Sequence, residues 1–259
     1  MTSEQVRLIL TQVLVLVAVM LPGCELTTYQ QPVASPYASR QVWAVAPLRN
    51  ESGSQSLDSY RLADHLTEQL QAVQGIDVLP VNRVLSAMAS MNLDAVTTRQ
   101  DAIALRQVLG VDGLVVGSVT AFGPYDPLKL GLALDLYVGV EDTPPPLDIR
   151  GLTWAPTGPQ AGLQSQTLYS AEQPMTSVSG VFNVGDPAVK ARLQAYTRGR
   201  GVSDNDEHAQ RLYEIDMNLY SEFVSREIGS QLIWAEAQRL THQYAARQQQ
   251  AAALVPADP

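Results

Sequence analysis

Cysteine is almost absent from this chain: Cys24 is the single one in 259 residues. A chain with one cysteine has no internal disulfide, so its stability has to come from packing, and it is long enough to bury a substantial core. Lysine is also scarce, since only Lys129 and Lys190 occur, and the arginines form no basic run. With a formal net charge of −9, these absences argue against binding to nucleic acid or to anionic lipid headgroups.

The sequence signatures of common catalytic sites are absent as well. No Gly-x-Ser-x-Gly elbow, His-Glu-x-x-His helix, Walker loop or Gly-x-Gly-x-x-Gly turn occurs. The chain has three histidines, and none of them stands in a nucleophile motif. We therefore predict no catalytic residue, no cofactor and no metal site, and we expect the protein not to be an enzyme.

No apolar run is long enough to cross a bilayer, which takes about 20 residues in a helix. The longest run, Leu8–Leu21, is interrupted by Thr11 and Gln12 and has the length of the core of a secretion signal. Small Gly23 and the lone Cys24 follow shortly after it. From the residues alone, this segment is an ordinary cleaved signal with a chance thiol, an uncut membrane anchor, or a leader whose processing needs the cysteine.

The order of these residues resembles the lipobox of bacterial lipoproteins, with Leu21 at the third position before Cys24 and Gly23 just before it. The resemblance implies that the thiol of Cys24 receives a diacylglyceryl group. It also implies that the leader, residues 1–23, is removed and that a further fatty chain such as palmitate is added to the new amino terminus. Two or three long chains hold a protein on a membrane almost permanently, because each buried methylene contributes about 0.8 kcal/mol. Cys24 is the one modification site that the sequence predicts.

The rest of the chain divides by composition into a tether, one domain and a tail. Residues 24–41 contain prolines and serines without an apolar period, which is typical of a flexible tether. Residues 42–240 carry the apolar periods of a single α/β domain, interrupted at about 142–174 by an insertion rich in proline and glycine, a candidate partner surface. Residues 241–259 are rich in glutamine and alanine, and we expect a disordered tail there.

Within the domain, apolar periodicity predicts strands and helices in alternation. Thr98 and Asp101 have the spacing of a capping box, and Gly110 follows the helix that they begin. Every even residue from Leu128 to Val140 is apolar, so one face of that strand should lie in a core and the other should face water. The predicted fold class is α/β, a mixed sheet with helices packed on it, plus a long carboxy-terminal helix over 207–240.

Short segments of this domain resemble a group of bacterial envelope proteins that share an α/β domain. In that group a strand ends in Pro-Phe, an Asn-containing turn leads into a helix, and a Gly-Ser-Val strand comes later. Here Pro47 is followed by Leu48 instead of Phe, the asparagine is Asn50, and the Gly-Ser-Val is Gly117 to Val119. The group comprises the curli-secretion lipoproteins, the lipoprotein activators of penicillin-binding proteins and the amino-terminal domain of the Tol-system translocation protein. The resemblance spans roughly residues 42–140 and implies a non-catalytic domain that docks onto other envelope proteins.

The histidines are the remaining candidates for a site. Asp64 and His65 are neighbours on a predicted helix, where adjacent side chains point about 100° apart, so we expect a structural role. His208 follows the acidic run Asp204 to Glu207, whose carboxylates suit a divalent cation but lack the ligand spacing and central glycine of a calcium loop. Capping of a helix explains acidic residues at that place. His242 lies in the polar tail and is expected to be solvated.

The function that fits these features is a lipid-anchored, non-catalytic binding or assembly module of the bacterial cell envelope. It would be anchored in the membrane by lipid on Cys24 and would dock onto an envelope protein. Glu25 follows the cysteine in place of the aspartate that resembles an inner-membrane retention signal, so we expect the outer membrane, on its periplasmic side. The alternatives are a subunit of a curli-type outer-membrane secretion pore, which Leu128–Val140 suits by its alternation, and a cell-wall hydrolase. The partner and the oligomeric state stay open.

Overall fold

A mixed sheet of six strands lies at the centre of the described part of the protein. The computed structural model describes residues 34–139, 174–203 and 205–253. The order across the sheet is β3-β1-β4-β5-β6, and β2 pairs with β4. The strands are, in chain order, β1 (Gln41–Val45), β2 (Arg49–Asn50), β3 (Ile76–Val78), β4 (Gly113–Gly123), β5 (Lys129–Val138) and β6 (Thr176–Asn183).

Two pairing modes are combined in this sheet. β1 runs parallel to β3 and to β4, and β2 is also parallel to β4. β5 is antiparallel to both of its neighbours, β4 and β6. Parallel neighbours need a crossover connection of about a dozen residues or more, whereas a short turn suffices between antiparallel strands such as β4 and β5. The mixed sheet predicted from the sequence is confirmed.

Helices flank the sheet, and several of them begin at a residue whose side chain caps the helix. Asp58 caps the first helix by accepting hydrogen bonds from the amides of Tyr60 and Arg61. The predicted capping box of Thr98 and Asp101 is present. The predicted α/β fold class is confirmed by the mixed sheet and its helices. The helices of the described residues are α1 (Ser59–Gln71), α2 (Val81–Ser90), α3 (Arg99–Leu109), α4 (Pro187–Gly199), α5 (Glu207–Ile215) and α6 (Met217–Ala253).

The larger core lies between the sheet and helices α1, α4 and α6. The even-numbered leucines from 128 to 136 are at most 1% exposed and belong to this core. On α6, Tyr220, Phe223 and Ile228 are fully buried against them. The predicted alternation of β5 is thereby confirmed for its apolar face, which lies against helices.

The smaller core lies on the opposite face of the sheet, under α2 and α3. β1 alternates between the two cores, since Trp43 and Val45 belong to the larger one and Ala44 to the smaller one. On β5, Tyr137 belongs to the smaller core and is 9% exposed. The expectation that the odd face of this strand meets water is therefore right at Lys129 but wrong at Tyr137.

The carboxy-terminal helix predicted over 207–240 is interrupted near its start and extends beyond its predicted end. Asp216 interrupts it with extended backbone, ending α5 and capping α6. Its Oδ1 accepts hydrogen bonds from the amides of Asn218 and Leu219, at 2.8 and 3.1 Å. At the other end, α6 continues past the predicted end at 240 to Ala253, so the described residues 241–253 are helical where we expected disorder. Alanine and glutamine favour helix, and neither proline nor glycine occurs between 241 and 253.

Replacing Asp216 by alanine should lower the free energy of unfolding by about 1 kcal/mol, because the first amides of α6 lose their acceptor. Urea unfolding followed by tryptophan fluorescence measures this change. Asp64→Ala is the matched control, since Asp64 is exposed in the middle of α1, and it should stay within about 0.5 kcal/mol of the wild type. Equal effects of the two substitutions would contradict the capping role of Asp216.

Several sequence predictions concern residues outside the described ranges. These are the leader 1–23, the lipidation site Cys24, the first part of the tether and nearly all of the insertion at about 142–174. Among the helices that the structure describes, none combines the length and the apolar character that a membrane span requires.

Candidate functional site

The described end of the predicted tether is fixed to the domain. Ala34 forms a parallel bridge with Gln74, and the amide of Ser35 donates to the carbonyl of Gln74 at 2.8 Å. The amide of Gln41 donates to the carbonyl of Gly75 at 2.9 Å. The prediction of a flexible tether over residues 24–41 is therefore wrong for residues 34–41, because their backbone groups pair with the turn before β3.

A buried carboxylate connects this amino-terminal segment to the far end of the chain. Glu236 on α6 is 0% exposed and accepts hydrogen bonds from the hydroxyls of Tyr37 and Thr176, each at 2.5 Å. The guanidinium of Arg239 donates to it twice, from Nε at 2.8 Å and from Nη2 at 2.6 Å. We call these four residues the Glu236 cluster. It joins the amino-terminal segment, the start of β6 and α6 at one point.

The electrostatics of the Glu236 cluster favour the ionised carboxylate. Burial raises the pKa of Glu236, but the hydrogen bonds from Arg239, Thr176 and Tyr37 outweigh it, so the pKa lies below the usual range of a glutamate. Burial and the neighbouring carboxylate raise the pKa of the Tyr37 hydroxyl. The cluster therefore contains a charged Glu236–Arg239 pair and a neutral tyrosine at neutral pH.

Tyr37 also contacts the larger core. Its ring packs edge-on against the ring of Trp43, with 6.2 Å between the centroids and an interplanar angle of 76°. Trp43 is fully buried in β1. Tyr37 thus makes an aromatic contact with its ring and a charge-assisted hydrogen bond with its hydroxyl. Both contacts fix the point at which the chain enters the domain.

The clefts on the surface of the described domain include two that the sequence-predicted candidates and the sheet help to line. The first, of about 160 Å³, lies beside α1 and is lined by His65, Phe122 and Met217 among others; we call it the His65 cleft. The second, of about 130 Å³, lies where α3 begins above β4 and β5, and we call it the Tyr137 cleft. Both are smaller than the usual site of a cofactor or drug-sized ligand, about 300–1,000 Å³.

No protein-family model and no curated protein sequence matches this chain. Solved structures are similar to it. The LpoB C-terminal domain from Salmonella enterica is 16% identical with a TM-score of 0.37, over 56% of this chain and 84% of that one. Lipoprotein GNA1162 from Neisseria meningitidis is 14% identical with a TM-score of 0.35, over 64% and 99%. The hypothetical protein CT253 from Chlamydia trachomatis is 9% identical with a TM-score of 0.37, over 76% and 99%.

One of these similar structures is named as a lipoprotein. TM-scores below 0.5 and identities below 20% do not establish a shared function. The function of this chain therefore has to be argued from its own residues.

His65 has the structural role that we predicted for it. The residue is 8% exposed, and its Nε2 lies 3.0 Å from Oδ1 of Asn218 on α6. The carboxylate of Glu68 is 3.9 Å from Nδ1. Asp64, its neighbour in sequence, is exposed to solvent. The structure therefore does not bring Asp64 and His65 together as an acid–base pair.

The acidic run before His208 caps a helix. Asp206 accepts a hydrogen bond from the amide of Ala209 at 2.9 Å as the N-cap of α5, which confirms the predicted capping at this residue. Asp204 lies outside the described residues, and His208 is exposed. In the described parts of the chain, no group of three or more histidine, cysteine, aspartate or glutamate side chains could hold a metal ion. His242 is exposed as predicted, although it lies on α6.

Sequence reasoning missed the Glu236 cluster. The available signal was spacing, because Glu236 comes four residues after Leu232 and eight after Ile228, on the buried stripe of α6. A charged residue at such a position needs a partner inside the protein. The partners could not be found in the same way, since Tyr37 is 199 residues away along the chain.

Proposed function

We propose that this protein is a lipid-anchored, non-catalytic module of the bacterial cell envelope that docks onto an envelope protein. The observation that carries the proposal is the position of Cys24, the lone cysteine, directly after a secretion-signal core. Fatty chains on its thiol and amine would hold the domain at the membrane surface. The outer membrane, on its periplasmic side, is the location that Glu25 favours.

The fixed amino-terminal segment supports a role for the anchor in positioning the domain. If residues 34–41 stay paired with the domain, ten residues, 24–33, remain as the free tether. Such a stretch reaches at most about 35 Å when fully extended. A tether of this length confines the domain to a thin layer next to the membrane and raises its local concentration for partners there.

The three histidines do not come together with each other in the described residues. The ring of His65 is engaged with Asn218, while His208 and His242 are exposed on other helices. The Glu236 cluster is a closed ion pair with its hydrogen bonds made inside the protein. These residues therefore give no support to the alternative function of a cell-wall hydrolase.

A pore subunit would require the apolar face of β5 to be exposed to the lipid of the membrane. In the described structure, the even-numbered leucines of this strand pack against helices of the same chain. This observation favours the docking module over the pore subunit.

Crosslinking in cells of the native host, with mass spectrometric identification of the captured neighbour, tests the proposal. The wild type should capture a defined envelope protein. A matched form has serine at position 24 behind an ordinary cleaved leader and should be exported without lipid. It should capture at least about tenfold less of the partner protein, because the lipid and tether no longer concentrate the domain at the membrane. Equal capture by both forms would show that the anchor has no part in docking, and no capture by the wild type would contradict docking itself.

A further inference from the structure

The large apolar side chains that are exposed in the described residues are concentrated at one end of the domain. Tyr60 lies on the first turn of α1, Tyr125 lies in the loop between β4 and β5, and Leu212 and Ile215 lie one turn apart on α5. These four side chains are between 40% and 84% exposed. The remaining ones lie on α3, on β6 and further along the chain on α6. A group of exposed apolar side chains is typical of an interaction surface, whereas single ones are common on any protein.

The His65 cleft lies at the same end of the domain. It is lined by the start of α1, the end of β4 and the first turns of α6. Phe122 in this lining is three residues before Tyr125, and Met217 is two residues after Ile215. Tyr60 is next to a lining residue on α1. The cleft and the exposed apolar side chains beside it therefore form one surface.

The lining of the His65 cleft suits an apolar side chain. Its apolar residues belong to the larger core or pack against it, and they are Leu57, Leu62, Phe122 and Met217. The carboxylate of Asp58 accepts from two amides of α1, and Nε2 of His65 lies 3.0 Å from Oδ1 of Asn218. The hydroxyl of Ser221 donates to a backbone carbonyl of α6 at 2.7 Å. Because these polar groups already have partners, a polar ligand would gain few hydrogen bonds there, whereas an apolar side chain would be removed from water.

The His65 cleft lies far from the point where the chain enters the domain. Tyr37, at the entry, contacts Glu236, whereas Asn218 in the lining is 18 residues earlier on α6. That spacing corresponds to about 27 Å along the helix, at about 1.5 Å per residue. The sheet gives the same direction, since Gly113 at the start of β4 pairs with β1 near the entry and Phe122 lies about 30 Å further along β4. In a lipid-anchored protein, the end with the cleft is therefore the one that extends farthest from the membrane.

Two other occupants of this surface are disfavoured. A second copy that met the first one end to end would place the two entry points about 60 Å apart, twice the length along the strand. The free tether, residues 24–33, reaches at most about 35 Å, so one membrane could not anchor both copies. A surface of anionic lipid is disfavoured because the lining contains one carboxylate, Asp58, beside one guanidinium, Arg61, and the whole chain has a net charge of −9.

We propose that the His65 cleft and the apolar side chains beside it form the docking surface for a protein partner, which inserts one large apolar side chain into the cleft. The partner approaches the end of the domain that is remote from the anchored membrane. The volume of about 160 Å³ suits one such side chain, and a buried apolar anchor with water-excluding residues around it is the usual form of a binding hot spot. The inference rests on the proposed function for the existence of an envelope partner, and it adds the surface and the chemistry of its recognition.

Site-specific photo-crosslinking in cells of the native host tests this surface in the lipid-anchored protein. The photoreactive residue p-benzoylphenylalanine replaces Tyr60 or Tyr125 in two test forms, and Val108 or Tyr244, exposed apolar residues on α3 and α6, in two control forms. Both test forms should be crosslinked to the same partner protein, with a yield at least about tenfold above that of the control forms. Equal yields from the four positions would overturn the proposal. Products at Tyr60 and Tyr125 that contain lipid, a second copy or a link within one chain would also overturn it.

Two tryptophan substitutions distinguish insertion into the cleft from contact beside it. Ser56 is an exposed residue of the lining, so Ser56→Trp should fill part of the cleft and lower the yield of the product from position 125 at least about tenfold. Gln55→Trp is the matched control, since Gln55 is exposed next to Ser56 but is not part of the lining, and it should leave the yield unchanged. Circular dichroism checks that both variants are folded, and equal yields from the two would overturn insertion into the cleft.

The same experiment separates this inference from the proposed function. A partner that is captured by general crosslinking of the wild type, but not from Tyr60 or Tyr125, would overturn the docking surface alone. The lipid-anchored docking module would then stand with its partner bound elsewhere on the domain.

Discussion

Cys24→Ser should abolish membrane attachment of the mature protein. Serine has no thiol to carry the diacylglyceryl group, and the leader is expected to stay uncut in the unlipidated chain. We therefore expect a larger precursor that retains residues 1–23 when the native leader is used. Behind an ordinary cleaved leader, the same substitution should move the protein from the membrane fraction to the soluble periplasmic fraction, a nearly complete change because two or three fatty chains are lost together.

Cell fractionation with immunodetection measures both effects. Ser39→Ala in the same amino-terminal segment is the control, and it should leave the protein in the membrane fraction. A Cys24→Ser protein with an ordinary leader that still sediments with membranes would show that something other than lipid holds it there. A Cys24→Ser protein that is processed at its native leader like the wild type would contradict the lipoprotein processing.

Glu236→Ala should be the most destabilising of the polar substitutions considered for this domain. Removing one member of a buried ion pair costs about 3–5 kcal/mol, since the other charge and the donors around it lose their partner. Arg239 is partly exposed, so water can reach it and the loss should lie at the lower end of this range. Urea unfolding monitored by tryptophan fluorescence gives the value, and Gln238→Ala, an exposed change on the same helix, should stay within about 0.5 kcal/mol.

A double-mutant cycle isolates the contact between the amino-terminal segment and α6. Tyr37→Phe keeps the ring against Trp43 and removes only the hydroxyl, so its cost should be about 1.5–3 kcal/mol, the range for hydrogen bonds to charged groups. In the Glu236→Ala background the same change should cost much less. Additive effects would mean that Tyr37 and Glu236 do not interact in solution.

The contribution of Glu236 should disappear in acid. The pKa of Glu236 is lower in the folded protein than in the unfolded chain. At a pH between these two pKa values the folded protein binds fewer protons than the unfolded chain, so the free energy of unfolding falls as the pH falls. The advantage of the wild type over Glu236→Gln should be constant above about pH 5 and should shrink below about pH 4.3, the ordinary pKa of a glutamate. An advantage that persists unchanged at pH 3 would contradict the ionised state assigned to this carboxylate.

Sequence patterns predicted the fold well where residues a few positions apart determine the local structure. The alternation of β5 and the capping box of α3 depend on neighbours within a few residues, so both were predictable. The break at Asp216 has a similar local signal, an aspartate whose side chain reaches the amides of Asn218 and Leu219. It was missed because the apolar stripe of the last helix continues across it, and periodicity alone favours one long helix.

The candidate sites were harder to predict, because they are made by contacts between remote segments. Tyr37 looks like a tether residue in a stretch rich in proline and serine, and only its contacts with remote residues, Trp43 and Glu236 among them, show that it is fixed. Similarly, Tyr137 and Arg99 are 38 positions apart in the sequence, and the sheet and α3 bring them to one cleft. Spacing along a chain carries no information about such pairs.

The mass of the intact protein purified from its native host tests the central claim most directly. The proposal predicts a chain that begins at Cys24, without residues 1–23, and carries the added mass of a diacylglyceryl group on the thiol together with a third acyl chain on the amine. A chain with an unmodified Cys24, or one that keeps the leader, would contradict the lipid anchor and the docking function that depends on it.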